Sequence, residues 1–388
     1  MKPAASATDA GEKKLLFSRA EFAQRLAALR SEMRGAKVTL AIFDEIEAMT
    51  WISGYGNSEN RWRACAVPLE GEPFFLIRAL DAGPLRARSW ITDITTFRDW
   101  EDPLPVLAGL IAERGLARGR IGLDYNSYCM PVERHQRLRD CLPEASVTDI
   151  GNVVWRLRLR KSDAETALLR RAAAIADAAM RKAIAACRTG GTKRDAAAAA
   201  SAAFLALGAD PSHVGPISSG RGWDFLHARL DDNILETGDL VHIELVPRIE
   251  GYCSRLMRSV SIGPPSRERA EAADALARLQ ERQIAAMRPG AVARDVDAIL
   301  RDAVLAQGLR ESFDNISGYT LGFYAPAGPR TSDFTRSFHP EARWTIEPDM
   351  VFHMYASAQG ISFSETVLVT TEGAERLTNL PRVLFTSA

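Results

Sequence analysis

Net charge is the first thing missing: 49 lysines and arginines balance 49 aspartates and glutamates over 388 residues. No global field draws the chain to nucleic acid or to an anionic membrane, and neither is expected as a partner. A disulfide framework is missing as well. The cysteines, Cys65, Cys129, Cys141, Cys187 and Cys253, are odd in number and show no CxxC spacing, which suits a reducing compartment and small buried apolar side chains. No run of about eighteen apolar residues occurs, so no membrane-spanning helix is expected. The opening MKPAASATDAGEKK has no apolar stretch of the kind a secretory signal needs, and 1–13 read as a disordered tail. The expectation is a soluble cytoplasmic protein.

What is present has the length for two medium domains. The first half alternates helical and strand-like patterns: a helix over 19–34, a β-branched run over 38–44, a hairpin over 64–79 turning at Glu70-Gly71, a helix over 103–115, a strand at 120–125, a helix over 131–140 and a strand at 146–150. That is a small α/β domain, placed at 14–156. The rest, 157–388, runs helix pair (163–187, 191–207), strands near Glu244 and Tyr252, helix pair (265–287, 294–307), then strands near 316–323, 349–356 and 366–371. This order suggests a duplicated α-α-β-β unit. The stretch VHIELVPRIEGYCSRLMRS, 241–259, reads as two strands joined at Glu250-Gly251, and it carries Glu244, Arg255 and Arg258 where strands usually bury apolar side chains.

The succession TGDLVHIEL…GYCSRLMRSVSIG, SGYTLGF, EPDMVFHMY and SETVLVTTEGAERLT, together with LRLRKSDAE at the second domain's start, resembles the creatinase and prolidase superfamily from about residue 14 onward. The resemblance implies an α/β (α+β) architecture with a small amino-terminal domain, a carboxy-terminal pita-bread domain and a homodimer. Metallopeptidases of that superfamily hold two metal ions with two aspartates, a histidine and two glutamates. Matched motif to motif, those positions fall here on Glu244, Arg255, Tyr319, Tyr355 and Ser364. Only one keeps a carboxylate, and an arginine among divalent cations would repel them. The resemblance therefore points to the metal-free branch, creatinase and more closely the ectoine hydrolases, which share GYTLG-like and MVFHM-like elements and the LPRVLF tail. No metal and no cofactor are expected.

Without a Lewis acid, hydrolysis of a C–N bond needs a carboxylate as nucleophile or base and a donor for the departing nitrogen. Glu244, between Ile243 and Leu245, is the candidate for the first role, with a structural ion pair to Arg255 or Arg258 as the alternative. His227 falls where the superfamily keeps a histidine before its GD turn, and suits proton shuttling. Arg255, Tyr319, His353, Tyr355 and Glu365 make up the implied substrate pocket, Glu365 by positioning substrate or steadying His353. Strand alternation places His353 on the face of Tyr355. His242, two residues before Glu244, has no motif support and reads as structural. Trp62 and Arg63, in a loop that in creatinase-like dimers reaches the partner's site, are further candidates for substrate contact.

Several loops depart from the ectoine hydrolase pattern: FYAPAGPRTSDFTRS follows the GYTLG element, SSGRGWDF precedes His227, and Ser362 stands where those enzymes carry a glutamate. The expected activity is metal-independent cleavage of a C–N bond in a small zwitterion, whether cyclic amidine, guanidine, lactam or amide. A non-catalytic pita-bread binding protein and an Xaa-Pro metallopeptidase remain the alternatives.

Overall fold

The computed structural model describes residues 15–56, 61–211, 213–222, 225–325 and 328–387. The expected tail, 1–13, lies outside the described residues, as do short parts of three loops singled out above (57–60, 223–224 and 326–327). The chain divides into two compact units, Met1–Arg158 and Leu159–Ala388.

The amino-terminal unit is built on a six-stranded sheet of order β4-β3-β2-β1-β5-β6. Its strands are β1 (Leu40–Phe43), β2 (Ala64–Pro68), β3 (Phe74–Arg78), β4 (Asp93–Phe97), β5 (Arg120–Leu123) and β6 (Ser146–Asp149). The wholly buried LAIF run of β1 takes a central place. The β2–β3 hairpin turns near Gly71, whose φ of +96° an L side chain would resist. Among the described residues six α-helices accompany the sheet: α1 (Arg19–Gly35), α2 (Ile46–Ser53), α3 (Ala82–Arg88), α4 (Pro103–Glu113), α5 (Val132–Cys141) and α6 (Val153–Leu157). Asp102 caps α4 by accepting from the Leu104 amide, with Pro103 at the first helical position. Helix α2 and strand β4 are absent from the sequence reading. Every residue of α2 is buried, which leaves no polar face to mark a period, and β4 is a largely polar edge strand.

The carboxy-terminal unit opens with α7 (Asp163–Ala186) and α8 (Lys193–Ala206). A capping box closes the start of α7: Ser162 accepts from the Glu165 amide and Glu165 reaches back to the Ser162 amide. Alanines at 172, 176, 179 and 183 face Ala196 and Ala200, and such small side chains let the two helices approach closely over one sheet. That sheet, order β17-β11-β8-β7, contains β7 (Ile217–Gly220), β8 (Leu240–Leu245), β11 (Leu256–Ile262) and β17 (Phe385–Ser387). Helices α9 (Arg267–Ala285) and α10 (Ala293–Ala306) pack on a second sheet, order β13-β12-β14-β15-β16. Its strands are β12 (Gly318–Thr320), β13 (Asp333–Phe338), β14 (Val351–Ala358), β15 (Ile361–Thr370) and β16 (Gly373–Arg376). Helix pair and sheet thus occur twice, as the element order suggested. No described helix is long and apolar enough to cross a membrane.

The hairpin over 241–259 differs from its sequence reading. β8 pairs antiparallel with β11, Leu245 opposite Leu256, and between them a small ribbon of β9 (Arg248–Ile249) and β10 (Tyr252–Cys253) turns at Glu250 and Gly251, both at positive φ. Gly251 is required there: a Cβ would meet the Phe323 ring at 2.2 Å. Arg255 consequently sits in the bend between β10 and β11, while Arg258 lies within β11.

Candidate active site

Strand alternation builds the site. In β8, Val241, Ile243 and Leu245 enter the core under α7 and α8, which turns His242 and Glu244 to the opposite face. Register adds Ser259 opposite His242 and Met257 opposite Glu244. In the second sheet, Phe352, Met354, Val367 and Val369 fill a core on its helix side, so His353, Tyr355 and Ser357 of β14 and Ser362, Ser364 and Thr366 of β15 share the other face. The two polar faces meet. His242 Nδ1 lies 2.5 Å from Ser362 Oγ, and Ser254 Oγ lies 2.8 Å from Thr366 Oγ1.

Between the sheets lies a cavity of about 370 Å³, lined by Leu226, His227, His242, Met257, Asn315, Tyr355, Ser357 and Ser362. This is near the small end of ligand pockets, which run roughly 300–1,000 Å³. His227 reaches it from the segment before β8 and is exposed. Tyr355 lies partly open on its wall, and burial pushes its phenol up to about 12.

Glu244 is 3% exposed. Burial raises its carboxyl above the usual value, and the charges of Arg255 and His227 oppose that rise. Arg255 Nη1 stands 3.1 Å from Glu244 Oε1 without the alignment of a hydrogen bond, so Oε1 is left with no hydrogen-bond partner among the described residues. The guanidinium donates instead to the Tyr319 hydroxyl and, through Nη2, to the Thr331 carbonyl at 2.7 Å. Burial acts to lower the Arg255 pKa, but the Glu244 and Tyr319 oxygens outweigh it and hold the group above its usual value. Arg255 is therefore cationic throughout the ordinary pH range.

His353 is fully buried, and neither ring nitrogen has a hydrogen-bond partner among the described residues. Its ring stacks on Tyr355 at 5.2 Å and meets Tyr319 edge-on at 5.1 Å. Burial holds it well below the usual imidazole pKa, with Arg255 and His242 adding to the effect. His242 is likewise driven down, to about 3, by burial and then by His227. Both imidazoles are neutral at physiological pH.

Of the residues singled out from sequence, Glu244, Arg255, Tyr319, His353, Tyr355 and His227 are brought together. Glu365 is not. Alternation turns it away from Ser364, and it accepts from Arg258 Nη2 at 2.9 Å and from the Thr378 hydroxyl. Arg258 also donates to the carbonyls of Met257, Ser364, Leu380 and Pro381, which ties β11 and β15 to the carboxy-terminal segment. Trp62 and Arg63 belong to the amino-terminal unit. Trp62 is part of its core and donates to Asp44 Oδ2 at 2.8 Å, and Arg63 is buried. Polar residues outside the expected pocket also line the cavity: His242, read as structural, Ser362, noted as a departure but given no role, and Asn315 and Ser357. The signal for His242 was its spacing of two from Glu244, which fixes a shared face.

An antiparallel β core with paired helices, closing its polar faces around a small cavity, defines a pita-bread fold. Residues 167–371 match the metallopeptidase family M24, and 25–160 match the creatinase/prolidase amino-terminal domain. The chain belongs to the M24 family, and at that level it is a hydrolase. It is 26% identical to the ectoine hydrolase of Halomonas elongata, over 96% of this chain and 98% of that one. It is also 30% identical to the Xaa-Pro dipeptidase of Pyrococcus furiosus, over 61% of this chain and 68% of that one. Among solved structures, the dipeptidase PepE of Mycobacterium ulcerans superposes with a TM-score of 0.79 at 25% identity, covering 95% of this chain and 99% of that one.

A metallopeptidase family implies metal ions, and the side chains present do not fit them. Among the described residues no group of three or more His, Cys, Asp or Glu is arranged to hold an ion. Glu244, which shares a strand face with His242, has a guanidinium 3.1 Å away, a charge that would oppose any divalent cation.

Proposed function

We propose that this protein is a metal-independent hydrolase that cleaves a C–N bond in a small zwitterionic substrate, a reading that similarity to the ectoine hydrolase of Halomonas elongata supports as to hydrolysis of a small molecule. The observation that carries the reading is Glu244: a buried carboxyl with a raised pKa and an uncommitted oxygen, held beside a cation and next to a cavity of small-molecule size. Such a group supplies the attack or the base that a metal-bound water would otherwise provide. His227, exposed at the cavity and close enough to Glu244 to influence its charge, passes the proton to the leaving nitrogen. Arg255 opposes the burial-driven rise of the Glu244 pKa and lends positive charge to the oxyanion side of the reaction, and Tyr355 lines the cavity with His353 and Tyr319 packed against it.

The test is a proton NMR time course of the purified protein with ectoine and with a panel of lactam, amide and guanidino acids, Glu244→Gln serving as the blank. Wild-type turnover, with a loss of at least ~10³-fold in the variant, is the expected result. If the whole panel stays intact, or if Glu244→Gln turns over as fast as wild type, the assignment fails. Binding without turnover would make the protein a binding scaffold instead.

A further inference from the structure

The cavity holds one feature that the hydrolase reading leaves unused, a chain of neutral polar groups linking its two walls. His242 on β8 is 2% exposed and lies 2.5 Å through Nδ1 from Ser362 Oγ on β15. Ser259 Oγ lies 3.5 Å from the same hydroxyl and accepts from the Ser362 amide at 2.9 Å. The pair is thus built into both sheets rather than free to reorganise. His242 lines the cavity with Nδ1 committed to Ser362, which leaves Nε2 as the ring's second polar atom. In either tautomer it offers one neutral donor or acceptor and no charge. Ser357, opposite Ser362 in the β14–β15 register, adds a second hydroxyl.

Charge at the site is already balanced. The Glu244 carboxylate faces the Arg255 guanidinium. Among the described residues no acidic side chain lines the cavity itself. A cationic amidinium or guanidinium entering it would shed its water and meet hydroxyls, a phenol and imidazoles, with no spare anion to replace that solvation. A neutral amide makes no such demand, and its carbonyl and N–H match the donors and acceptors present.

We infer that the His242–Ser362 pair sets specificity, selecting a substrate whose reacting carbon is a neutral carbonyl, in an amide or lactam, over one in a cationic amidinium or guanidinium. The inference rests on the hydrolase reading for the word substrate, but its test reads binding alone. Creatine and N-acetylsarcosine share an N-methylglycine carboxylate and differ in the planar head, a guanidinium in one and a neutral acetamide in the other. Calorimetric titration of the full-length protein at neutral pH with each probe should show N-acetylsarcosine binding more than ~tenfold tighter, and Ser362→Glu should reverse the preference by supplying a carboxylate. Ser357→Asp introduces the charge from the neighbouring strand and stands in if Ser362→Glu fails to fold. Equal or tighter binding of creatine by the wild type, no binding of either probe, or an unchanged ratio in a folded carboxylate variant overturns the inference. Turnover is scored separately: a preference for the acetyl probe without hydrolysis leaves the specificity standing and removes only the catalytic reading.

Discussion

Arg255 and Arg258 stand three residues apart, both buried, and serve different carboxylates. Arg258 has each of its nitrogens bonded and acts as a structural clamp on Glu365 and four carbonyls. Arg255 is less completely used: its Nε has no hydrogen-bond partner among the described residues, and its contact with Glu244 is one of charge rather than of hydrogen-bond geometry. The difference has a kinetic consequence. Glu244 acts in its ionised form, and its carboxyl titrates above the ordinary 4.5, so activity falls as pH drops through a value above the usual carboxylate range. Arg255→Met removes the cation that opposes this rise, and the acid limb of kcat/KM against pH should then move further upward. A limb at an ordinary carboxylate pKa in the wild type, or one that stays put in the variant, would count against the placement of this pair.

At the scale of elements, the position of Glu244 depends on a crossing at Gly215. This residue has φ +124°, and a Cβ built on it would lie 2.1 Å from the Glu244 carbonyl oxygen. The flanking carbonyls of Val214 and Pro216 accept from the Val246 and Glu244 amides at 2.8 Å, which leaves the segment no room to retreat. Gly215→Ala should cost more than ~2 kcal/mol in chemical denaturation and lower turnover together with it, because both strain and clash fall on the strand that carries the carboxyl. The same scale explains what could be read in advance. The alanine-rich α7 and the apolar run of β8 carry strong local periods and were legible, and motif order located Glu244, Arg255, Tyr319 and Tyr355. Strand β13, mostly polar, and the short β16 and β17 carry little period and were missed. Ser362 and His242 meet across 120 positions of chain, a contact that no local pattern records. Glu365 was placed in the pocket on motif position alone, although alternation with Ser364 already assigned it the opposite face.

For the molecule as a whole, the family and the side chains pull apart. The M24 pattern covers 167–371, yet the positions at which that resemblance places metal ligands are occupied by Glu244, Arg255, Tyr319, Tyr355 and Ser364. Prolonged dialysis against a chelator should accordingly leave turnover unchanged, and elemental analysis of the dialysed protein should find well under one divalent ion per chain. Loss of activity that added metal restores would reverse the reading. The stacking of His353 on Tyr355 has a use beyond chemistry. Tyr355 lines the cavity and its ring lies over an imidazole fully shut from solvent, so the imidazole protons sit in the magnetic shadow of a side chain on the cavity wall. Ring-current displacement of the His353 resonances makes the protein its own indicator of occupancy, readable before a single bond in the occupant is broken.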